Sequence, residues 1–255
     1  MYNTGLVSIS FRGHTPEEIL KAMAQTGLDR IEWGSDVHTP CGDVENIEKI
    51  VKLQENYGIS CCSYGTYFRL GVTPVPELPA YIQAAKTLGT NILRLWCGSK
   101  PAEEYTPEEK ETLFAQCRAA AAIAEAAGVV LCMECHIKSF TETAAGALEL
   151  MKAVDSPAFR MYWQPNQFRT VEENRQYARA LRDYITHIHV FQWKGKARFP
   201  LADGVEEWKS YLAELPGDHA LLLEFMPDGK LETLPREAAA LEEIARSCDR
   251  PCRSV

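Results

Sequence analysis

The chain has 255 residues, of which 46% are hydrophobic and 24% charged, enough to bury one large core in the manner of an ordinary globular protein. A formal charge of -8 argues against broad nucleic-acid binding, which shows as a basic face. No apolar run approaches the ~18 residues of a membrane helix, and the start, MYNTGLVSISFRG, lacks the charged region and long apolar core of a secretion signal. Nine cysteines, an odd number without framework spacing and with no zinc partners near Cys61, Cys62, Cys248 or Cys252, are expected to be reduced thiols in a cytoplasmic protein.

One unit recurs along the chain: strand, loop, capped helix, glycine, strand. Strands are expected at residues 6–10, 30–34, 59–64, 92–97, 129–135, 160–164, 185–190 and 220–225. Helical periodicity fills the gaps, for example at 16–27, 46–58, 107–128 and 173–184. Thr15, Thr106 and Thr170 each precede a Glu by three residues (Glu18, Glu109, Glu173), the spacing of a capping box. Gly27, Gly58, Gly89 and Gly128 stand where a helix would end on a left-handed residue. Strict alternation of strand and helix implies a parallel sheet. Eight such units fit a closed (β/α)8 TIM barrel of the α/β class, with an outer ring of helices. No glycine-rich phosphate motif follows any strand, which weighs against a dinucleotide fold. No linker or composition shift divides the chain, so residues 1–255 are expected to form a single domain. The proline-rich stretch from Thr73 to Pro79 reads equally as a lid or as a rigid connection.

The fifth strand, VVLCMECH, is apolar on both faces and ends in a carboxylate. Alternation puts Val130, Cys132 and Glu134 on one side and Val129, Leu131 and Met133 on the other. Cys132 and Cys135 match C-x-x-C but point to opposite faces, so no redox pair is expected. In such barrels the chemistry sits at the C-terminal strand ends. There the chain carries Glu134, Gln164, His189 and Glu224, on four consecutive strands. Like charges are seldom buried together without a cation or a shared proton. Oxygen and nitrogen donors in an open site suit Mn²⁺, Mg²⁺ or Zn²⁺. His187, deeper on the same face as His189, reads as a hydrogen-bonded interior residue. Glu32 and Arg94 are inward on strands two and four and are expected to pair inside the barrel. Trp96 reads as a sugar-stacking or core residue. His136 and Gln167 are expected to line the pocket, Asn166 to take part beside them, and His14 and His38 to be loop residues at its rim. Arg198, with Lys194 and Lys196 in the same loop, offers a fork for a hydroxyl pair, a carboxylate or a phosphate.

The stretches SFRGHTPEEILKAMAQTGLDRIEWGSDVH, VVLCMECH, HIHVFQW and LLLEF resemble the xylose isomerase-like TIM barrel superfamily of sugar-phosphate isomerases and epimerases, together with the related apurinic endonuclease barrel. The resemblance covers nearly the whole chain. It implies a divalent metal held by Glu134, the end of strand six, His189 and Glu224. It also implies that the two carboxylates move protons on a substrate carbon, and that Arg198 touches substrate. The family usually has Asp where this chain has Gln164, and often His where it has Gln167. A neutral amide oxygen is a weaker ligand than a carboxylate. The expected function is a metal-assisted sugar or sugar-phosphate isomerase or epimerase working through an enediolate on a small-molecule sugar, with no nucleic acid or membrane partner; whether the chain forms a homo-oligomer is left open. Gln164 and Gln167 keep two alternatives in play: a non-catalytic or partner-dependent sugar-binding barrel, and lyase chemistry next to a carbonyl. Apurinic endonuclease-like phosphodiester hydrolysis needs a cluster richer in His and Asp than this one.

Overall fold

The structure, a computed structural model, describes residues 2–248; Cys252 lies outside them. Eight parallel strands close into a barrel: β1 (Asn3–Val7), β2 (Arg30–Gly34), β3 (Ser60–Leu70), β4 (Ile92–Cys97), β5 (Val130–Glu134), β6 (Phe159–Trp163), β7 (Ile185–Val190) and, after a two-stranded antiparallel hairpin formed by β8 (Trp193–Lys194) and β9 (Ala197–Arg198), the closing strand β10 (Ala220–Leu223). Each barrel strand pairs with its sequence neighbours, and β10 seals the ring against β1. Around the barrel run α1 (Pro16–Met23), α2 (Val44–Tyr57), α3 (Leu78–Thr87), α4 (Pro107–Ala127), α5 (Ala144–Val154), α6 (Val171–Leu181), α7 (Val205–Leu212) and α8 (Leu234–Cys248). This is the TIM barrel fold that the alternating pattern implies. None of these helices is long and apolar enough to cross a membrane.

Strand alternation splits the core in two. Leu131 and Met133 of β5 face outward and pack in the large cluster beneath the helices. Cys132 faces inward with Val7, Tyr162 and Leu222, a small apolar plug in the barrel interior. Cys135 belongs to the outer cluster, so the C-x-x-C pair is split between the two cores, and none of the eight described cysteines forms a disulfide.

All three capping boxes form, at Thr15, Thr106 and Thr170. Gly58 and Gly128 close α2 and α4 with φ of 66° and 68°, and Gly89 does the same after α3. Gly27 departs from this reading. Its backbone is not left-handed; it lies in the turn after α1, where a Cβ would meet the Glu242 carboxylate of α8 at 2.0 Å.

Three strands differ from the periodic reading by more than one residue at an end. β1 begins and ends earlier, because Ser8 turns the chain into a 3-10 helix (Ser8–Phe11) while its hydroxyl accepts from the Gly34 amide at 2.9 Å. β3 runs on to Leu70, with register shifts against both neighbours. β10 stops at Leu223, leaving Glu224 and Phe225 in the turn beyond. In the proline-rich stretch one 3-10 turn, Val75–Glu77, feeds straight into α3 through the buried Leu78.

Candidate active site

Four elements deliver the four strand-end residues to one point. Glu134 is the last residue of β5, and Gln164 and Glu224 stand just past β6 and β10. His189 is in register with the inward Leu222, so both Glu224, two residues further on, and His189 face the barrel axis. The His189 Nδ1 atom is the hub. Gln164 Oε1 lies 3.1 Å from it, Glu224 Oε2 3.7 Å and Glu134 Oε1 3.8 Å. His189, Glu134 and Glu224 are buried, with candidate ligand atoms all within 4.8 Å of one another.

Behind this group lies a second layer. Arg94 spans the barrel floor, with Nη1 2.9 Å from Glu134 Oε2 and Nε 3.2 Å from Glu32 Oε1. The expected Glu32–Arg94 pair therefore forms, and it extends to the mouth. The Trp96 indole N–H donates to the same Glu134 Oε2 at 2.6 Å. Ser63 donates to Glu32 at 2.5 Å and itself accepts from the Tyr162 hydroxyl at 2.8 Å. His189 Nε2 stands 3.3 Å from Glu32 Oε1, an ion-pair distance without hydrogen-bond alignment. Gly65 of β3 makes room for the pair. A Cβ there would lie 2.5 Å from Glu32 Oε1 and 2.8 Å from Arg94 Nη2.

The cluster sets the charge states. Burial opposes ionisation of Glu32, but His189 and Arg94 outweigh it and bring the carboxyl to about 2. Burial likewise opposes the charge on Glu134, and the Arg94 guanidinium, helped by His189, holds it well below the usual carboxylate range. For His189, burial disfavours the cation, yet Glu224 and Glu32 raise it to about 10. Burial pushes Glu224 up to about 7, with His189 offsetting part of the rise and Glu134 adding to it. His187 behaves as the interior residue expected: its Nδ1 accepts from the Ala220 amide at 3.1 Å, and burial lowers it to about 4.

The donor set fits a divalent ion. Two carboxylates and an imidazole nitrogen at these separations suit metal bonds of about 2.0–2.2 Å. Nδ1 would be the ligating nitrogen, and the opposite ring nitrogen faces Glu32, the carboxylate partner that orients metal-bound histidines. Glu32, Glu134 and Glu224 together with Arg94 leave two negative charges when His189 is neutral, which one divalent ion balances. Glu134 Oε1, His189 Nδ1 and Glu224 could hold the ion, with the Gln164 oxygen beside them.

The remaining expected residues divide. His136, Asn166 and Gln167 line the pocket together with Gln164, Trp193 and Phe225. Trp96 is tucked against His136, ring centroids 5.0 Å apart, and its indole serves Glu134. Arg198 is exposed on the hairpin, its guanidinium stacked 4.7 Å over Trp193 and 5.0 Å over Phe225. Lys194 pairs with Glu207 at 3.1 Å. His38 is not at the rim: it is buried, bridging the Ser8 hydroxyl and the His14 carbonyl, while His14 itself lies 3.7 Å from Glu18. Periodicity gave no sign of Ser63, Trp193 or Phe225. Ser63 reaches the interior through a register shift between β2 and β3, and Phe225 sits at φ 54° with its amide donating to Ser10 at 2.8 Å.

A family model described as xylose isomerase-like TIM barrel matches residues 20–249. No curated protein sequence matches the chain. Solved structures share the fold at low identity. A probable 3-DHS dehydratase from Bacillus anthracis superposes with a TM-score of 0.76 at 17% identity, covering 96% of this chain and 99% of that one. D-psicose 3-epimerase with D-tagatose, from Clostridium cellulolyticum H10, gives 0.70 at 16%, covering 97% and 100%. A 3-keto-D-glucoside 4-epimerase from E. coli gives 0.69 at 13%, covering 97% and 100%. With the closed barrel and the family match over most of its length, the chain belongs to the xylose isomerase-like TIM barrel family.

Proposed function

We propose that the chain is a sugar or sugar-phosphate isomerase or epimerase that moves a proton next to a carbonyl, with Mn²⁺ or Mg²⁺ (Zn²⁺ as the alternative) held by Glu134, Gln164, His189 and Glu224. The observation that carries this reading is the inequality of two carboxylates converging on one pocket. Glu134 has one oxygen clamped by Arg94 and Trp96, whereas the Glu224 carboxylate accepts no hydrogen bond among the described residues. Two carboxyl groups whose surroundings drive them apart in acidity divide acid and base roles between them. Glu134, held ionised, takes the proton from the carbon beside the carbonyl, giving an enediolate, and Glu224, whose burial favours the protonated form, returns a proton. A bound divalent ion supplies Lewis acidity toward the carbonyl and its neighbouring hydroxyl. His136 and Gln167 contact the substrate from the pocket wall, and the Arg198 fork meets its outer hydroxyls or phosphate. The sugar epimerases among the structures that share the fold support a keto-sugar substrate.

Glu134→Gln and Glu224→Gln are each expected to abolish exchange of solvent deuterium into substrate, across a panel of keto-sugars and their phosphates, while circular dichroism stays unchanged. Exchange retained in both variants sinks the mechanism. Elimination begins with the same proton abstraction, and the fold is shared with a probable dehydratase. An unsaturated product, seen by ultraviolet absorbance, would select that second reading.

A further inference from the structure

We infer that Arg94 sets the metal affinity of the centre: it withholds one oxygen of Glu134 from the ion and leaves the cluster with two net negative charges in place of three. This rests on the metal reading proposed above. Arg94 is 1% exposed, and its Nη1 takes Glu134 Oε2 at 2.9 Å, while the Trp96 indole takes that same oxygen at 2.6 Å. Only Oε1 of Glu134 is turned toward His189 Nδ1. Glu134 therefore offers an ion one oxygen, not two.

The arrangement is built into three strands. Glu32 on β2 anchors Nε at 3.2 Å, the Thr66 carbonyl on β3 accepts from Nη1 at 3.3 Å, and Gly65 on β3 clears the space between Glu32 and Arg94. A guanidinium stays charged at any pH at which the chain is folded, so its repulsion acts on every cation that enters. Ligand charge count is a main determinant of affinity at oxygen sites. Here it is reduced twice, once by the neutral Gln164 and once by the resident Arg94.

The test is calorimetric titration of the chelator-stripped chain with Mn²⁺ alone. Arg94→Gln is expected to tighten binding about tenfold or more, because a like charge close to the ion is removed. Arg94→Lys keeps the charge and stays within about threefold of the parent; Trp96→Phe, which removes a donor but no charge, does the same. A purely structural role for Arg94 would instead weaken binding in both Arg94 variants. The inference is overturned if Arg94→Gln binds no tighter than the parent, including the case where neither binds at millimolar Mn²⁺. If that variant does not fold, the same comparison is made between Glu32→Gln and Glu32→Gln/Arg94→Gln, a background without an orphaned Glu32 carboxylate, with the same tenfold difference expected and its absence decisive. Affinity is read apart from turnover: unchanged affinity removes this inference and leaves the proposed activity standing, whereas failure of the deuterium-exchange test removes the activity without altering the affinity result.

Discussion

At position 65 a methyl group has no room. It would strike the carboxylate and guanidinium of a buried ion pair, each held in place by a further partner, Glu32 by Ser63 and Arg94 by Glu134. Gly65→Ala is expected to destabilise the fold by about 1–3 kcal/mol in urea titration. Gly42→Ala is the control: nothing lies within 4 Å of a Cβ there, and the change should stay within about 0.5 kcal/mol. Residues of the site were legible in the sequence where strand parity governs them. Glu134 and His189 face the axis as alternation requires, and Glu32 and Arg94 meet because inward residues on alternate strands share a layer. Ser63 was hidden because parity fails at a register shift, and Trp193 because two-residue strands carry no period to read.

Elements with chemical end signals were the readable ones. Three capping boxes set the starts of α1, α4 and α6, since Thr and Glu satisfy amides that the helix cannot. Strand ends have no such signal, so β1 was displaced by the turn at Ser8 and β10 lost its last two expected residues. How the helices dock on one another was not legible either. Arg175 and Arg179, one turn apart on α6, both close on Glu214 beyond the end of α7, each at 2.7 Å. Hydrogen bonding from Arg179, then Arg175, lowers Glu214 to about 2. A depressed carboxyl stabilises the fold above its unfolded value and loses that contribution as the pH falls through the folded one. Glu214→Gln is therefore expected to cost about 1 kcal/mol at pH 7. The gap between variant and parent should narrow from about pH 4.5 down toward 2; a gap independent of pH would mean that shape, not charge, joins the two helices.

For the molecule as a whole, the centre joins β5, β7 and the segments after β6 and β10, so an ion held there ties together most of one side of the barrel. Mn²⁺ at about 100 times its dissociation constant is expected to stabilise the chain by roughly 2.7 kcal/mol, seen as a rise in the thermal midpoint that a chelator reverses. An unchanged midpoint would show that no ion binds the folded state in preference to the unfolded one. The buried charges of the centre also follow an order along the chain: Glu32, Arg94, Glu134, His189, Glu224, alternating in sign while His189 carries its proton. Synthesis delivers them in that sequence. A barrel that grew strand by strand in that order would never shelter more than one unmatched charge, the condition under which burial is most costly. The final carboxylate follows the strand that seals the ring, so the complete set of ligands exists only once the barrel has closed.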